Sequence, residues 1–401
     1  MRRWLAIVGI GEDGLDGLDP RARALIERAE VLVGGSRHLA MIPADGRERL
    51  TWRAPLAATV AEIDDRRGTA VCVLATGDPM FFGIGVTLAR RFPLNEMTIL
   101  PAVSAASLAC ARLGWPRAEV ETVTLHGRPL DLIQPLIQPG ARLLALANDG
   151  ATPAEVAALL RARGFGPSRV WVFEHMGGPR ERVFTGGAAR WRRARVADFN
   201  TLAIDCRAAP GTEPLPRAPG LPDSAYRHDG QLTKRETRAI TLAALAPRHD
   251  GLLWDVGAGC GSVAIEWMRA ERGARAIAVE RDPARAILIA DNARTLGVPG
   301  LEIVVGAAPG ALAGLAPPDA VFIGGGIGDD AVFDACWRAL RPGGRLVANV
   351  VTVEGETALA GWRARVGGDL TRVNIARAAP LGDLTGWRPM MPITQFTARK
   401  R

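Results

Sequence analysis

Lysine is almost absent from this chain: all but two of its 50 basic residues are arginine, the exceptions being Lys234 and Lys400. Tyrosine occurs once, and cysteine and histidine five times each. The cysteines (Cys72, Cys110, Cys206, Cys260 and Cys336) are scattered and odd in number, which suits reduced, buried thiols rather than a disulfide framework. No two histidines stand at His-x-His or His-x-x-x-His spacing, so no metal is expected. No apolar run approaches the roughly 20 residues that cross a bilayer. After Met1-Arg2-Arg3 a short apolar stretch is cut off by Glu12 and Asp13, with no small-residue cleavage site. Neither a membrane span nor a secretory leader is expected, and the chain reads as cytoplasmic. Blocks of basic residues are also missing, which argues against a nucleic-acid-binding arm.

What the chain does have is length, apolar content and arginine. Its 401 residues admit two domains at roughly 100–200 residues each. An apolar fraction of 48% supports filled cores rather than disorder. The net charge of +8 is carried by arginines spread along the whole chain. A GC-rich genome accounts for such usage. The functional alternative to that reading is an anionic substrate, because guanidinium groups grip carboxylates and phosphates through paired hydrogen bonds.

Residues 208–224 contain five prolines and two glycines. Proline removes donors and fixes φ, so this stretch predicts a semi-rigid, extended linker between domains at 1–207 and 225–401. No repeat of 20–50 residues is present, which excludes a solenoid. Before the linker, Leu5–Ile10, Ala70–Leu74, Leu143–Ala147 and Val170–Phe173 read as strands, and Pro20–Ala29 and Pro153–Arg163 as helices. After it, Leu252–Val256, Ala276–Val279, Glu302–Val305, Ala320–Ile323 and Arg345–Val350 read as strands separated by helical patterns. The alternation predicts α/β sheets with helical crossovers in both domains.

The most specific signal is Asp255-Val256-Gly257-Ala258-Gly259-Cys260-Gly261-Ser262, at the end of a strand and the start of a helix. The glycines permit a tight turn and close approach of a ligand, and the helix start offers free N–H groups. A dinucleotide site asks for Gly-x-Gly-x-x-Gly; here the third glycine comes one residue early. This spacing with a leading aspartate is the usual form of the class I methyltransferases, with Asp255 placed to position the loop. Glu280 ends the next strand, where a carboxylate accepts both ribose hydroxyls of a nucleoside. Gly306-Ala307-Ala308-Pro309 follows the third strand, where Ala308 and its small neighbours suit an adenine ring. Gly324-Gly325-Gly326 ends the fourth strand and reads either as an opening for a large flat substrate or as a flexible turn.

Ahead of the glycine loop, Gln231-Leu232-Thr233-Lys234-Arg235-Glu236-Thr237-Arg238 resembles the lead-in motif of the decarboxylating precorrin methyltransferases of cobalamin synthesis. The glycine-rich fourth strand and Val347-Ala348-Asn349-Val350-Val351-Thr352 share the resemblance, which covers about residues 225–401. It implies that Thr233 contacts the cofactor, and it makes Lys234 and Asn349 candidate catalytic groups.

Three loops carry the first half: Val8–Gly14, Ala75–Gly85 with its Gly77-Asp78-Pro79 core, and Leu100–Ser107. Each follows a strand and precedes a helix, and such loops gather at the carboxyl edge of a parallel sheet. Together they resemble the tetrapyrrole methylases, a class III methyltransferase fold of two α/β subdomains that usually dimerises. The resemblance covers about residues 1–205 and implies that Gly77, Asp78, Phe81, Ser104 and Ala105 cradle the cofactor. In the first loop Glu12-Asp13 replaces the family's Pro-Gly step, which leaves its contacts open. His126-Gly127-Arg128 and Glu174-His175 follow expected strand ends; Arg128 is a candidate carboxylate clamp, and Asp78 and Glu174 are candidate catalytic groups.

A class III domain followed by a class I domain resembles the precorrin-6Y methyltransferases, the decarboxylating enzymes of vitamin B12 biosynthesis. The resemblance implies an enzyme that uses S-adenosylmethionine to methylate carbons 5 and 15 of an anionic tetrapyrrole and removes the ring C acetate carboxylate, giving precorrin-8. It also implies a homo-oligomer. Two alternatives remain at this level: an RNA methyltransferase, and a single active class I domain on a non-catalytic N-terminal scaffold.

Overall fold

A computed structural model describes residues 3–401. The chain divides into two units: residues up to Leu130 with Leu136–Thr212, and Asp131–Pro135 with Glu213–Arg401.

The first unit holds two five-stranded sheets. The first sheet consists of β1 (Leu5–Ile10), β2 (Val31–Gly34), β3 (Glu48–Thr51), β4 (Val71–Thr76) and β5 (Met97–Leu100), all parallel, in the order β3-β2-β4-β1-β5. Burial on both faces explains why β1 and β4 are continuous apolar runs. Leu5, Ile7, Val71 and Val73 pack beneath α3 (Leu56–Asp64) and α4 (Ile84–Arg91). Ala6, Val8, Ile10 and Leu74 face α1 (Pro20–Glu27) and α2 (Ser36–Ala40).

The second sheet departs from the expected helical crossovers. Its strands are β6 (Val120–Thr124), β7 (Arg142–Leu146), β8 (Arg169–Glu174), β9 (Arg182–Gly187) and β10 (Asn200–Asp205), in the order β6-β7-β10-β8-β9. Only β6 and β7 pair in parallel; the other pairings are antiparallel. The α-helices here are α5 (Ala105–Leu113) and α6 (Thr152–Ala162), and among the described residues no α-helix separates β8, β9 and β10. Edge strand β9 is mostly exposed and has no apolar run to betray it.

The second unit is built on a seven-stranded sheet. Its strands are β11 (Leu252–Val256), β12 (Arg275–Glu280), β13 (Glu302–Val305), β14 (Ala320–Ile323), β15 (Arg345–Val350), β16 (Asp369–Val373) and β19 (Ile393–Arg399), and β17 (Ala376–Leu381) and β18 (Leu384–Pro389) form a separate hairpin. The order is β13-β12-β11-β14-β15-β19-β16, with β19 antiparallel to both neighbours and the rest of the pairings parallel. One face packs on α7 (Arg235–Leu245), α8 (Ser262–Ala270) and α9 (Pro283–Thr295). The other packs on α10 (Asp330–Ala339) and α11 (Val353–Val366), where Phe333 and Trp362 stack at 4.4 Å. The five parallel strands lie close to the ranges expected from sequence; the four that follow α11 carried no recognised signal.

The proline-rich stretch is not the free extended spacer that its composition predicts. Ala209 N–H and the Thr212 hydroxyl both donate to the Gly164 carbonyl in the first unit. Further along, the carbonyls of Leu215 and Pro216 accept from Arg269, and the amides of Gly220 and Leu221 donate to the Glu266 carboxylate. Proline lacks a donor but keeps its carbonyl, so arginines supply what backbone pairing cannot. Leu221 is fully buried.

Glu266 and Arg238 form the centre of this packing, both essentially without solvent access. Arg238 Nε donates to Glu266 at 2.6 Å, and its other nitrogens reach the Thr233 and Leu221 carbonyls. Removing one partner of a buried pair strands the other charge. Arg238→Ala is therefore expected to lower the stability of the second unit by about 3–5 kcal/mol, read from denaturant unfolding by tryptophan fluorescence. A loss under about 1 kcal/mol would instead match a solvated surface pair.

Candidate active sites

The carboxyl ends of β11, β12, β14 and β15 and the start of α7 enclose a cavity of about 770 Å³ in the second unit. Its floor is the glycine loop. Gly257 has a φ of +72°, and a Cβ there would lie 2.7 Å from the Gly325 amide nitrogen. Two loops thus meet backbone to backbone, which only glycine permits at this spacing. Gly259 also has a positive φ, but a Cβ on it would project into open space, its nearest neighbour being the Gln231 carbonyl at 3.9 Å. Gly261 lies outside the cavity lining: it begins α8, and a Cβ on it would press on Ile289 of α9 at 2.8 Å. Gly261 is therefore a packing glycine rather than the cofactor contact expected from the motif.

Asp255 and Glu280 both line the cavity. Asp255 accepts the Ala264 amide at 2.9 Å and so fixes the first turn of α8. Burial, assisted by the nearby charge of Glu280, pushes its carboxyl up to about 7 against the lowering effect of that hydrogen bond. Glu280 accepts the Gly259 amide at 2.8 Å and the Asp282 amide at 3.1 Å. It ties the loop to β12 while still facing the space where a ribose would lie. Thr233, Lys234, Ala258, Cys260, Ala308, Gly324, Gly325, Gly326 and Asn349 complete the expected residues brought to this cavity. The open space over Gly259, the paired acids and the small residues after β13 suit an adenosyl group with a cationic sulfur. Thr237, Arg281, Met390 and Met391 also line the cavity and were missed. Thr237 follows Thr233 and Lys234 at helical spacing, which is a usable signal. The methionines follow the unforeseen hairpin.

In the first unit the three loops do converge at the carboxyl edge of β1, β4 and β5. Gly77 N–H donates to the Ile10 carbonyl, and Ala102 N–H donates to the Gly77 carbonyl. A Cβ on Gly9 would lie 2.5 Å from the Ala102 nitrogen, so β1 and the two neighbouring loops are in close contact. Asp78 accepts the Met80 amide at 2.8 Å, so its carboxylate orders its own turn. Ser104 caps α5 through the Ser107 amide, and Ala105 opens that helix. Phe81 rests against Phe82 at 4.7 Å and lies under Arg117.

Glu12 explains the altered first loop. Its buried carboxylate pairs with Arg37 from the first sheet's side and with His175 Nδ1, after β8, at 2.7 Å. The residue that displaces the family's proline-glycine step is a bridge between the two halves of this unit. Glu174 is buried and accepts the Ala197 amide at 2.6 Å, which ties the end of β8 to the stretch leading into β10. Arg128 and His126 are exposed on the turn after β6. Arg128 forms no ion pair among the described residues. No group of three or more His, Cys, Asp or Glu side chains among the described residues is placed to hold a metal.

The family profile described as precorrin methyltransferase domain matches residues 224–400, and that of the tetrapyrrole (corrin/porphyrin) methylases matches residues 5–190. A Sinorhizobium protein named precorrin-6Y C(5,15)-methyltransferase (decarboxylating) is 52% identical over 99% of this chain and 96% of its own length. The chain belongs to the precorrin-6Y C(5,15)-methyltransferase family. Enzymes of this family take their methyl groups from S-adenosylmethionine. Two Salmonella typhimurium proteins match parts of the chain. The cobalt-precorrin-7 C(5)-methyltransferase is 36% identical over 45% of this chain and 88% of its own. The cobalt-precorrin-6B C(15)-methyltransferase (decarboxylating) is 32% identical over 42% of this chain and 89% of its own. Among the described residues no helix is long and apolar enough to cross a membrane.

Two predictions come from this geometry. Gly259→Ala should lower the melting temperature of the second unit only by the strain of a side chain at positive φ, and should weaken calorimetric binding of S-adenosylmethionine there. Gly257→Ala and Gly261→Ala should lower the melting temperature further, because their new methyl groups meet backbone and Ile289. Equal melting losses in all three would refute the distinction. The second concerns Glu12. Burial alone would raise its pKa, but hydrogen bonds from His175 and Arg37 and their charges hold it below its ordinary 4.5. A depressed carboxylate contributes stability that is complete above its ordinary pKa and is lost as pH falls through the folded value. Thermal melts between about pH 5 and pH 2 should therefore fall less steeply for Glu12→Gln than for the unaltered chain; equal slopes would count against the bridge.

Proposed function

We propose that this chain methylates precorrin-6Y at carbons 5 and 15 and removes the ring C acetate carboxylate, giving precorrin-8, with the labour divided between its units. The observation that carries this reading is the presence of two different loop systems suited to the same cofactor. One is the three-loop edge of β1, β4 and β5; the other is the glycine-loop cavity beneath α7. One active site would need only one of them. The two Salmonella proteins support the division, since separate chains there bear the names of the C(5) reaction and of the C(15) reaction with decarboxylation. We assign carbon 5 to the first unit and carbon 15 with carbon dioxide release to the second.

S-adenosylmethionine supplies an electrophilic methyl group, and displacement by an electron-rich ring carbon needs alignment and water exclusion more than acid–base groups. In the second unit, Gly257, Gly259 and Glu280 would hold the adenosyl end of the cofactor. The Gly324–Gly326 turn leaves room for a flat macrocycle beside it. For decarboxylation the carbon–carbon bond pair passes into the conjugated ring, and a proton returns to carbon; the protein orients the carboxylate relative to the ring.

We also place the domain boundary between Thr212 and Glu213, and read the enzyme as a cytoplasmic homo-oligomer. All five cysteines are free and buried, which suits a reducing compartment. Hairpin β17–β18 exposes Leu381, Leu384 and Trp387, and a lone two-stranded ribbon is only marginally stable in water; sedimentation of the full chain tests for association.

The central experiment supplies precorrin-6Y and S-adenosylmethionine to the full chain and weighs the products. The unaltered chain should add two methyl groups and release one carbon dioxide. Asp78→Ala should lose one methyl transfer and keep carbon dioxide release. Gly259→Val should lose the other methyl transfer together with carbon dioxide release. If Asp78→Ala and disruption of Gly77 both leave two methyl groups added, the first unit is a scaffold and the division is wrong.

A further inference from the structure

The α7 side of the second unit's cavity presents donors left unused among the described residues. Lys234, the N-cap of α7, lines the cavity, and its ammonium forms no ion pair among the described residues. Three residues on, Thr237 is 3% exposed and also lines the cavity, yet its hydroxyl has no hydrogen-bond partner among the described residues. A buried hydroxyl left unpaired costs stability unless a ligand completes it. Asn349, facing α7 from β15, is held rigidly: its amide nitrogen lies 2.7 Å from Thr241 Oγ1, and its carbonyl accepts from Gln395 at 3.0 Å. One N–H of that amide is thereby used and one remains. Lys234, Thr237 and Thr241 share one face of α7, so the three free donors lie along one wall.

An ammonium, a hydroxyl and an amide N–H converging at a helix N-terminus form a complement to a carboxylate. The wall lies over β14 and β15, with β11 and β14 between β15 and the strand that bears Glu280. It therefore faces the substrate side rather than the adenosyl side. A cation on the departing carboxylate would stabilise the charge that decarboxylation removes and so raise the barrier. The carboxylate suited to this wall is one that the product retains.

We propose that Lys234, Thr237 and Asn349 form a subsite for a retained carboxylate of the tetrapyrrole and fix its orientation in the second unit. This rests on the function proposed above. The test uses the full chain with precorrin-6Y and S-adenosylmethionine. Lys234→Met and Thr237→Val should each raise the KM for carbon dioxide release about tenfold, with kcat within roughly twofold. Calorimetric affinity for S-adenosylmethionine should not change. Thr237→Val keeps the shape and removes an unpaired hydroxyl, so it should melt no lower than the unaltered chain. Thr237→Ser should restore the KM. The subsite is refuted by an unchanged KM in both variants, or by cofactor affinity that falls in step with KM. Loss of carbon dioxide release with methyl transfer intact would refute the retained carboxylate. An unaltered chain that neither methylates nor decarboxylates fails the functional reading and the subsite with it, whereas normal turnover with unmoved KM values fails the subsite alone.

Discussion

The buried Glu266 carboxylate organises the second unit. It accepts two backbone amides, from Gly220 and Leu221, the Tyr226 hydroxyl at 2.9 Å and the Arg238 guanidinium. Burial and the adjacent Glu266 charge push the Tyr226 hydroxyl well above its ordinary pKa, so it stays a donor. A charge so deep in a protein is tolerable only when each lone pair is used, and here the partners come from three separated stretches of chain. The consequence reaches the cavity, because Arg238 also holds the Thr233 carbonyl and thus sets where α7 begins. Lys234 and Thr237 take their places from that start.

The first unit reaches a comparable result by another route. Its cofactor-type loops are held almost wholly by backbone contacts among Ile10, Gly77 and Ala102. A charged tie, Glu12 with Arg37 and His175, lies beside those loops and joins the two sheets. A departure from the family's usual sequence at Glu12 therefore alters how the halves of the fold are fastened, while the loop edge keeps its form.

Much of this was legible beforehand where a local rule acts alone. The parallel strands announce themselves because two-sided burial demands unbroken apolar runs, as in Leu252–Val256. The glycine loop announces itself because positive φ and backbone contact at Gly257 exclude other residues. What escaped depends on partners distant in sequence. Strand β9 has no apolar face, β16 and β19 are defined by pairing with each other and with β15, and the stretch around Leu221 is set by Glu266 some 45 residues later. The glycines illustrate the same limit: one motif contains Gly259 facing a cavity and Gly261 facing Ile289, and only the fold separates the two roles.

Strand β19 has a further consequence, for the order of events during synthesis. It is the last of the sheet's strands in sequence, yet it sits between β15 and β16 and supplies Gln395 to the Asn349 amide. Domains generally fold as units while the chain emerges, the N-terminal one first. The first unit can therefore be complete on the ribosome while the second still has a gap in its sheet and an unsupported Asn349. A nascent chain of this protein passes through a stage at which the first unit's loop edge is assembled and the Asn349 wall of the second unit's cavity is not, and a premature stop before Ile393 would leave it there permanently.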